Sequence, residues 1–261
     1  MSQSRTFIDQ MGNRILLPAL PSRIISLVPS QTELLYHLGL DQEVVGITKY
    51  CIHPAHWLRQ KTIVGGTKNF HLDLIDQLKP DLIIGNREEN IKDGIEALAK
   101  KYPVWMSEIY SLDDSVEMIE RVGELVDKRE TAQQIASQIR AGFQSIRKRP
   151  AQNVLYLIWR KPWMAAGQNT FINDILERIG LKNSLPKDSR YPELSNDELK
   201  SLAPEVVFLS SEPYPFKEKH IGELQAILPQ AKILLVDGEM FSWYGSRLLS
   251  AIEYLNSLPL K

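Results

Sequence analysis

Short apolar segments alternate with amphipathic stretches along the whole chain. In the first half, residues 24–28, 44–48, 82–85 and 104–106 predict β-strands, each bounded by glycine, proline or polar residues. Residues 31–38 predict a helix directly after the first of these strands. Because strands that alternate with helices are typical of parallel sheets, the pattern predicts an α/β fold.

The same alternation restarts in the second half, where residues 154–158 predict a strand and 172–179 predict a helix. In both halves a predicted helix ends with an acid, an apolar pair and a terminal Gly-Leu at identical offsets, with the glycines at Gly39 and Gly180. Glycine at this position is typical of a left-handed C-terminal cap. The recurrence indicates that the second half copies the first.

A second pattern recurs in the same order. Asp73 stands seven positions before Pro80, and Asp197 stands seven positions before Pro204. In both halves the proline opens a predicted strand. Helix-proline-strand junctions also recur by chance in α/β proteins, but two matches in the same order favour an internal duplication.

Residues 111–149 separate the two copies and contain no proline, the next one being Pro150. Ser111 and Asp114 are spaced as in a capping box, and apolar residues recur at helical spacing through the segment. We therefore favour a single helix, which over about 35 residues would be about 50 Å long. The alternative is two helices that break near the charged residues 127–130.

These elements predict two Rossmann-like lobes joined by one long α-helix. The N-terminal α/β lobe spans 23–110, the linking helix 111–149 and the C-terminal α/β lobe 150–261, and residues 1–22 form a segment that packs on the first lobe. Open parallel sheets bind ligands at the carboxyl ends of their strands. We therefore expect a ligand cleft between the lobes, lined by these loops.

Composition narrows the classes of function. The 261 residues carry 31 Lys and Arg against 32 Asp and Glu, and no segment concentrates cations with aromatic residues, so we expect no nucleic-acid partner. No apolar run approaches the roughly 20 residues that span a bilayer. Residues 1–22 are interrupted by Arg5, Asp9 and Arg14, so we expect no secretory signal in this stretch.

The sequence lacks the glycine-rich and serine motifs of nucleotide-dependent enzymes and esterases. Binding without catalysis is therefore the leading interpretation, and we expect neither an enzyme nor a cofactor. Cys51, His53 and His56 form an alternative metal site, since thiolate and imidazole are favoured zinc ligands, although a structural or surface role is more usual for such residues. His220 follows charged residues and is expected on a solvated face.

Six segments carry a family resemblance in order along the chain. They are residues 23–34, residues 45–50, residues 72–73 with 78–83, residue 167 with 173–180, residues 191–195, and residue 241 with 246–247. They resemble the helical-backbone (class III, TroA-like) periplasmic binding proteins, which serve ABC importers of siderophores, haem and cobalamin. Within this class the chain is most similar to the cobalamin-binding members, which have two α/β lobes bridged by one long helix.

The resemblance implies a substrate-binding protein that holds cobalamin or a related corrinoid in the cleft and delivers it to a permease. Haem or a metal-siderophore is an alternative ligand, and an intracellular metal-binding protein on the same fold is an alternative function. The implied partners are a small-molecule metal chelate and an ABC transporter permease, with the protein itself a monomer. The implied location is the periplasm or cell envelope, and the cytoplasm stays an alternative because no secretory signal is expected.

The resemblance and the predicted strand ends together give candidate ligand-binding residues. Aromatic side chains would pack on the faces of a macrocycle, and polar ones would contact its amides. The candidates are Ser30, Gln31, Tyr50, Lys68, Asn86, Arg87, Trp159, Arg160, Tyr191, Glu239, Phe241, Ser242 and Trp243.

Two departures from the family pattern bear on the ligand. Lys68 stands where the relatives have a tryptophan, and Ser242 and Trp243 stand where they have an acid and an arginine. A remodelled pocket would suit another corrinoid, haem or a metal-siderophore. Arg87, Arg160 and Lys68 would pair with carboxylates if such a ligand carried them.

In this family an exposed glutamate on each lobe meets the permease, and Asp73 and Asp197 match those positions. Each has an alternative structural role. Asp73 would serve as a helix N-cap, and Asp197 lies within a capping box formed by Ser195 and Glu198. Glu198 is the alternative docking acid to Asp197.

Overall fold

The structure is a computed structural model that describes residues 4–186 and 189–260. The chain divides into two compact units, each with its own sheet. Unit 1 comprises Met1–Ile109, Asp113–Arg140 and Tyr244–Arg247, and unit 2 comprises Tyr110–Leu112, Ala141–Trp243 and Leu248–Lys261. The predicted α/β class with two lobes is confirmed.

Unit 1 is built on a parallel sheet with an antiparallel hairpin before it. The elements are β1 (Arg5–Ile8), β2 (Arg14–Leu17), β3 (Ile24–Ser26), α1 (Pro29–His37), β4 (Val44–Ile47), α2 (Trp57–Gln60), β5 (Thr62–Ile63), α3 (Leu72–Leu78), β6 (Leu82–Asn86), α4 (Lys92–Ala99), β7 (Val104–Ser107), α5 (Leu112–Leu125) and α6 (Arg129–Ser145). The first residue of α5 and the last five residues of α6 belong to unit 2. The sheet has the strand order β5-β4-β3-β6-β7, with every neighbouring pair parallel. β1 and β2 form the hairpin.

Unit 2 has a mixed sheet. Its elements are β8 (Asn153–Trp159), β9 (Trp163–Ala166), α7 (Phe171–Arg178), β10 (Lys182–Asn183), β11 (Glu193–Leu194), α8 (Asn196–Leu202), β12 (Val206–Ser210), α9 (Glu218–Ile227), β13 (Lys232–Val236), α10 (Glu239–Ser242) and α11 (Leu248–Ser257). The order is β11-β9-β8-β12-β13, in which β8, β12 and β13 are parallel and β9 is antiparallel to both neighbours. Within residues 4–186 and 189–260, every helix is too short or too polar to span a bilayer.

Four of the strands are buried on both faces. Every residue of β3, β6, β7 and β12 is buried, which is why these strands are continuous apolar runs in the sequence. The core of unit 1 includes Ile25, Leu27 and Ile83, and the core of unit 2 includes Leu155 and Val207. Each packed sheet therefore positions the loops that follow the carboxyl ends of its strands.

The recurring Gly-Leu pattern has the same backbone geometry in both units. α1 and α7 are each followed by a glycine with positive φ, 77° at Gly39 and 89° at Gly180. The next leucine donates its N–H to the carbonyl five residues back, at 3.1 Å after α1 and 3.0 Å after α7. The predicted left-handed helix caps are therefore confirmed.

The second recurring pattern also folds alike in both units. α3 and α8 are each followed by a left-handed residue, Lys79 with φ 47° and Ala203 with φ 42°. Pro80 and Pro204 come next and lead into β6 and β12. The two sequence correspondences are thus also structural correspondences.

The segment 111–149 forms α5 and α6 rather than the single helix that the sequence favoured, so that prediction is corrected. Asp127 has a φ of 58°, and the Lys128 N–H donates to the Gly123 carbonyl at 2.7 Å, which closes α5 as a capped helix. Gly123 lets α6 pack close, because a Cβ there would lie 2.1 Å from the Ala132 Cβ.

The hairpin of β1 and β2 was not predicted. Its turn forms around Asp9, whose carboxylate accepts hydrogen bonds from the Met11 N–H at 2.9 Å and the Asn13 N–H at 2.7 Å. The same carboxylate accepts a hydrogen bond from the Met106 N–H at 3.3 Å. This buried aspartate therefore fixes the turn to β7, the edge strand of the unit 1 sheet.

Four residues near the carboxyl end, Tyr244–Arg247, belong to unit 1, whereas the predicted boundary placed them in the second lobe. Gly245 donates its N–H to Ser115 Oγ at 2.9 Å. The Arg247 guanidinium pairs with the Glu33 carboxylate on α1 at 2.8 Å. Side-chain contacts between residues far apart in sequence therefore complete unit 1.

Candidate functional site

Gln31 and Asn86 converge on one serine at the carboxyl ends of β3, β6 and β7. Gln31 Nε2 donates to Ser107 Oγ at 2.5 Å, and Asn86 Nδ2 donates to the same oxygen at 3.0 Å. All three side chains are buried, and Gln31 Oε1 has no hydrogen-bond partner among the described residues. Ser107 was missed, although its position directly after a predicted strand was a signal for it.

Asn86 also shapes the loop after β6. Its Oδ1 accepts hydrogen bonds from the N–H groups of Glu88 at 2.8 Å and Glu89 at 3.2 Å. The neighbouring Arg87 is exposed and pairs with Glu108, in the loop after β7. A ligand carboxylate would therefore compete with Glu108 for the Arg87 guanidinium.

Ser30 is buried in the first turn of α1, where its hydroxyl hydrogen-bonds the Tyr244 phenol. Burial raises the pKa of Tyr244 well above its ordinary value, the Glu89 carboxylate raises it further, and the Ser30 and Ser107 hydroxyls oppose the rise. The protonated phenol donates to Glu89 Oε1 at 3.2 Å. Ser30 is thus engaged within unit 1.

Tyr50 and Lys68 lie on the surface of unit 1. Tyr50 is 51% exposed in the loop after β4, and the Lys49 ammonium lies 5.1 Å from its ring centroid. Gly66 backs the ring, since a Cβ there would lie 3.2 Å from Tyr50 Cε2. Lys68 is exposed in the loop after β5. The loop after β4 therefore presents an aromatic ring beside the Lys49 ammonium.

Trp159 is the last residue of β8 and Arg160 follows it, and their side chains lie in different environments. The Trp159 ring is 41% exposed, and its centroid lies 5.6 Å from that of Tyr214. Arg160 donates two hydrogen bonds to Glu223, at 2.8 and 2.6 Å. The pair raises the pKa of Arg160 and lowers the pKa of Glu223. Arg160 is thus tied to α9, while Trp159 is available at the surface.

Tyr191 is half-buried just before β11 and shares a cation with a second tyrosine. The Arg190 guanidinium lies 5.4 Å from the Tyr191 ring centroid and 5.1 Å from that of Tyr110. Arg190 Nε donates to the Asn169 carbonyl at 3.1 Å. All four residues belong to unit 2. Sequence reasoning missed Arg190 and Tyr110, because nothing in the sequence joins positions 80 apart.

Ser242 and Trp243 converge on a carboxylate that the sequence analysis did not single out. Ser242 Oγ and Trp243 Nε1 both donate to Glu212 Oε1, each at 2.8 Å. Burial raises the pKa of Glu212, and the two donors oppose that rise. Glu239, half-buried at the start of α10, adds to the rise. The position of Glu212 just after β12 was the available signal.

Phe241 does not lie at the surface. The residue is fully buried, with ring centroids 5.2 Å from Tyr156 and 5.5 Å from Phe208. The prediction that its ring packs on a ligand therefore disagrees with this structure. Phe241 instead anchors the four-residue α10 to the core of unit 2.

The two candidate docking acids lie in the first turns of α3 and α8. Asp73 is exposed but is not the N-cap, a position that His71 takes. The Asp197 side chain is 93% exposed and lies 3.4 Å from the Lys200 ammonium. The predicted capping box of Ser195 and Glu198 is confirmed, with both reciprocal hydrogen bonds formed.

The structure does not support the alternative metal site. The Cys51 thiol is buried between the Thr32 and Thr48 hydroxyls, at 3.0 and 3.2 Å. Burial raises the pKa of this thiol to about 11, whereas a metal ligand must be a thiolate. Within the part of the chain that the structure describes, no group of three or more His, Cys, Asp or Glu could hold a metal ion, and Cys51, His53 and His56 form none.

His220 is buried, which corrects the expectation of a solvated face. Its Nδ1 accepts a hydrogen bond from the Lys217 N–H at 2.8 Å, and its ring centroid lies 5.5 Å from Tyr214 and 5.4 Å from Phe216. Burial lowers the pKa of His220. The imidazole therefore serves the packing of α9.

Comparisons with known proteins agree with this architecture. A family model described as periplasmic binding protein matches residues 24–226. A Bacillus subtilis (strain 168) protein, named uncharacterized ABC transporter substrate-binding lipoprotein YvrC, is 26% identical over 271 residues, covering 95% of this chain and 83% of that protein.

Two further similar proteins are named as vitamin B12-binding proteins. The vitamin B12-binding protein of Yersinia pestis (strain Pestoides F) is 25% identical over 243 residues, covering 89% of this chain and 84% of that protein. The crystal structure of the periplasmic vitamin B12 binding protein BtuF of Vibrio cholerae has a TM-score of 0.75 at 22% identity, covering 90% of this chain and 95% of that one. The last likeness shows a shared fold.

Proposed function

This chain belongs to the periplasmic binding protein family, and on that premise we propose that it is the substrate-binding protein of an ABC importer. The matched region, residues 24–226, includes the parallel sheet of unit 1 and the mixed sheet of unit 2 except β13. The Bacillus subtilis relative, named as an ABC transporter substrate-binding lipoprotein, supports the assignment over 95% of the chain. The protein binds and delivers its ligand without changing it.

The proposed ligand is a corrinoid. One observation carries it: each unit exposes an aromatic ring in a loop at the carboxyl end of a parallel strand, Tyr50 after β4 and Trp159 at the end of β8. Rigid rings bury a large, flat macrocycle at low entropic cost. The 25%-identical vitamin B12-binding relative supports the same ligand class.

Delivery requires contact with a permease. Asp73 and Asp197 are exposed in the first turns of α3 and α8, the two helices that correspond to one another in the two units. We propose both as docking acids that meet cationic groups of the permease. The words periplasmic and lipoprotein in the relatives' names support action in the cell envelope. We propose that the protein acts there as a monomer with no cofactor of its own.

Calorimetric titration of the full chain with cyanocobalamin tests the proposal. Tyr50→Ala and Trp159→Ala should each weaken binding about five- to tenfold, because each removes ring area from the ligand. Tyr36→Ala removes another exposed tyrosine, on α1, and should leave the affinity within about twofold.

A flat titration with cyanocobalamin and other corrinoids overturns the corrinoid ligand. Haem and a ferric siderophore are titrated in parallel. Binding of either one alone would keep the transport role and replace the ligand, whereas a flat response to all three classes would overturn both.

A further inference from the structure

A cavity of about 730 Å³ lies in unit 1 between the N-terminal hairpin and α4. Its floor is apolar and buried, formed by Ile15, Val104 and Met106. Its rim includes Leu16, which is 58% exposed. The volume falls within the roughly 300–1,000 Å³ that small-molecule sites occupy. Exposed apolar surface rimmed by polar groups is typical of a ligand groove.

Both walls of the cavity are held in place. The hairpin wall is fixed by the Asp9 carboxylate, which accepts the Met106 N–H, and by the Gln10 N–H, which donates to the Met106 carbonyl at 3.2 Å. The helical wall is fixed by close packing at Gly94, where a Cβ would lie 2.6 Å from Phe70 Cζ. The cavity is therefore formed before any ligand binds.

The charged groups of the lining are mostly cationic. Lys92 forms a weak surface pair with Glu96 at 3.7 Å, and Arg87 pairs with Glu108. The guanidinium of Arg14, which also lines the cavity, makes no hydrogen bond or ion pair with any residue that the structure describes. A guanidinium at the rim of an apolar floor complements one anionic group attached to an apolar body.

We propose that this cavity is a second binding site, which takes a small amphipathic anion: an aliphatic or aromatic body with one carboxylate or sulfonate. The body lies on Ile15, Val104 and Ile95, and the anion pairs with Arg14. The proposal does not depend on the proposed corrinoid ligand. Of the candidate ligand-binding residues, only Arg87 lines this cavity.

The test compares two fluorescent probes that differ by one anionic group. 1-Anilinonaphthalene-8-sulfonate carries a sulfonate, and N-phenyl-1-naphthylamine is its neutral counterpart. In titrations of the full chain, Arg14→Gln should weaken binding of the sulfonate about five- to tenfold and leave the neutral probe within about twofold. Leu16→Glu should weaken the sulfonate more than the neutral probe.

A second variant tests the place of binding. Ala99→Trp fills the cavity from α4 and should weaken both probes, whereas Arg59→Gln, an exposed arginine on α2, should change neither. Thermal unfolding shows which variants are folded; if Ala99→Trp is not, Arg14→Gln and Leu16→Glu decide. Sulfonate binding unchanged in Arg14→Gln, equal losses for both probes in that variant, or no binding up to about 1 mM would each overturn the proposal.

Discussion

Burial and hydrogen bonding have opposite effects on the pKa of Glu212. Burial raises its pKa, while the hydrogen bonds from Ser242 and Trp243 to Oε1 favour the ionised form. The nearby Glu239 and Asp237 carboxylates add to the rise. The net direction is upward, so folding favours the protonated acid relative to the unfolded chain.

Replacing Glu212 with glutamine should make folding less sensitive to pH. Because the folded-state pKa lies above the ordinary value of 4.5, the stabilisation by the protonated acid is fully present below that pH and is lost as pH rises through the folded pKa. Glu212→Gln keeps an acceptor for both donors and carries no charge. Its stability relative to wild type should therefore increase from about pH 4.5 to about pH 7.5 in urea unfolding.

The matched control for that prediction is Glu253→Gln, an exposed acid on α11. It should show no such trend with pH. A Glu212→Gln difference that stays constant across the pH range would contradict the assignment of the raised pKa.

Single-residue chemistry was partly predictable from the sequence. Asn86 and Trp159 were located correctly as polar and aromatic residues at strand ends, because strand ends are visible in the hydrophobic pattern. The burial of Phe241 on α10 was not predictable, because its neighbours Tyr156 and Phe208 come from β8 and β12, which lie far from it in sequence. Glu212 was missed for the same reason, since its donors lie 30 and 31 positions away.

At the scale of elements, two helical glycines differ in what surrounds them. Gly123 on α5 faces Ala132 of α6, and a Cβ there would lie 2.1 Å from the Ala132 Cβ. Gly222 on α9 has nothing within 4 Å of a built Cβ. The same substitution should therefore have opposite effects at these two positions.

Gly123→Ala should destabilise the protein by about 1–3 kcal/mol, because α5 and α6 must move apart to admit the methyl group. Gly222→Ala should stabilise it by about 0.5–1 kcal/mol, because alanine loses less conformational entropy in a helix. Urea unfolding of both variants measures the difference. Equal effects at both sites would show that α5 and α6 do not pack as described.

The break between α5 and α6 shows that the spacing of apolar residues does not by itself predict where a helix ends. Apolar residues recur at helical spacing on both sides of residues 127–130, where the periodicity weakens, and with no proline in the segment one helix was favoured. The helix ends because Asp127 adopts the left-handed conformation, which aspartate tolerates better than most residues. The charged residues 127–130 indicated where a break could occur, but the left-handed torsion of Asp127 is visible only in the structure.

For the whole molecule, the notable contact lies between residues 214 positions apart. Arg247 donates to Glu33 through Nε at 2.9 Å and pairs through Nη2 at 2.8 Å, with both side chains largely buried. His37 Nδ1 and Ser246 Oγ lie 2.8 Å apart beside them. The order of strands and helices predicted the two units, but nothing in that order indicated that Tyr244–Arg247 returns to unit 1.

Glu33→Gln should destabilise the protein by about 3 kcal/mol, because it leaves the buried Arg247 charge without its carboxylate. Combining Glu33→Gln with Arg247→Met should recover much of the loss, since the charge is then absent. Unfolding in urea measures both. Asp197→Asn, which alters an exposed pair, should leave the midpoint unchanged. A double variant no more stable than Glu33→Gln would contradict the ion-pair explanation.

Because Tyr244–Arg247 belongs to unit 1, that unit can be completed only late in synthesis of the chain. A ribosome releases the chain from its amino end, so residues up to Ile109 emerge long before Tyr244–Arg247, which complete unit 1. Until residue 247 of 261 is translated, the Glu33 carboxylate lacks its guanidinium, and the first half cannot reach its final form while the second is still being made.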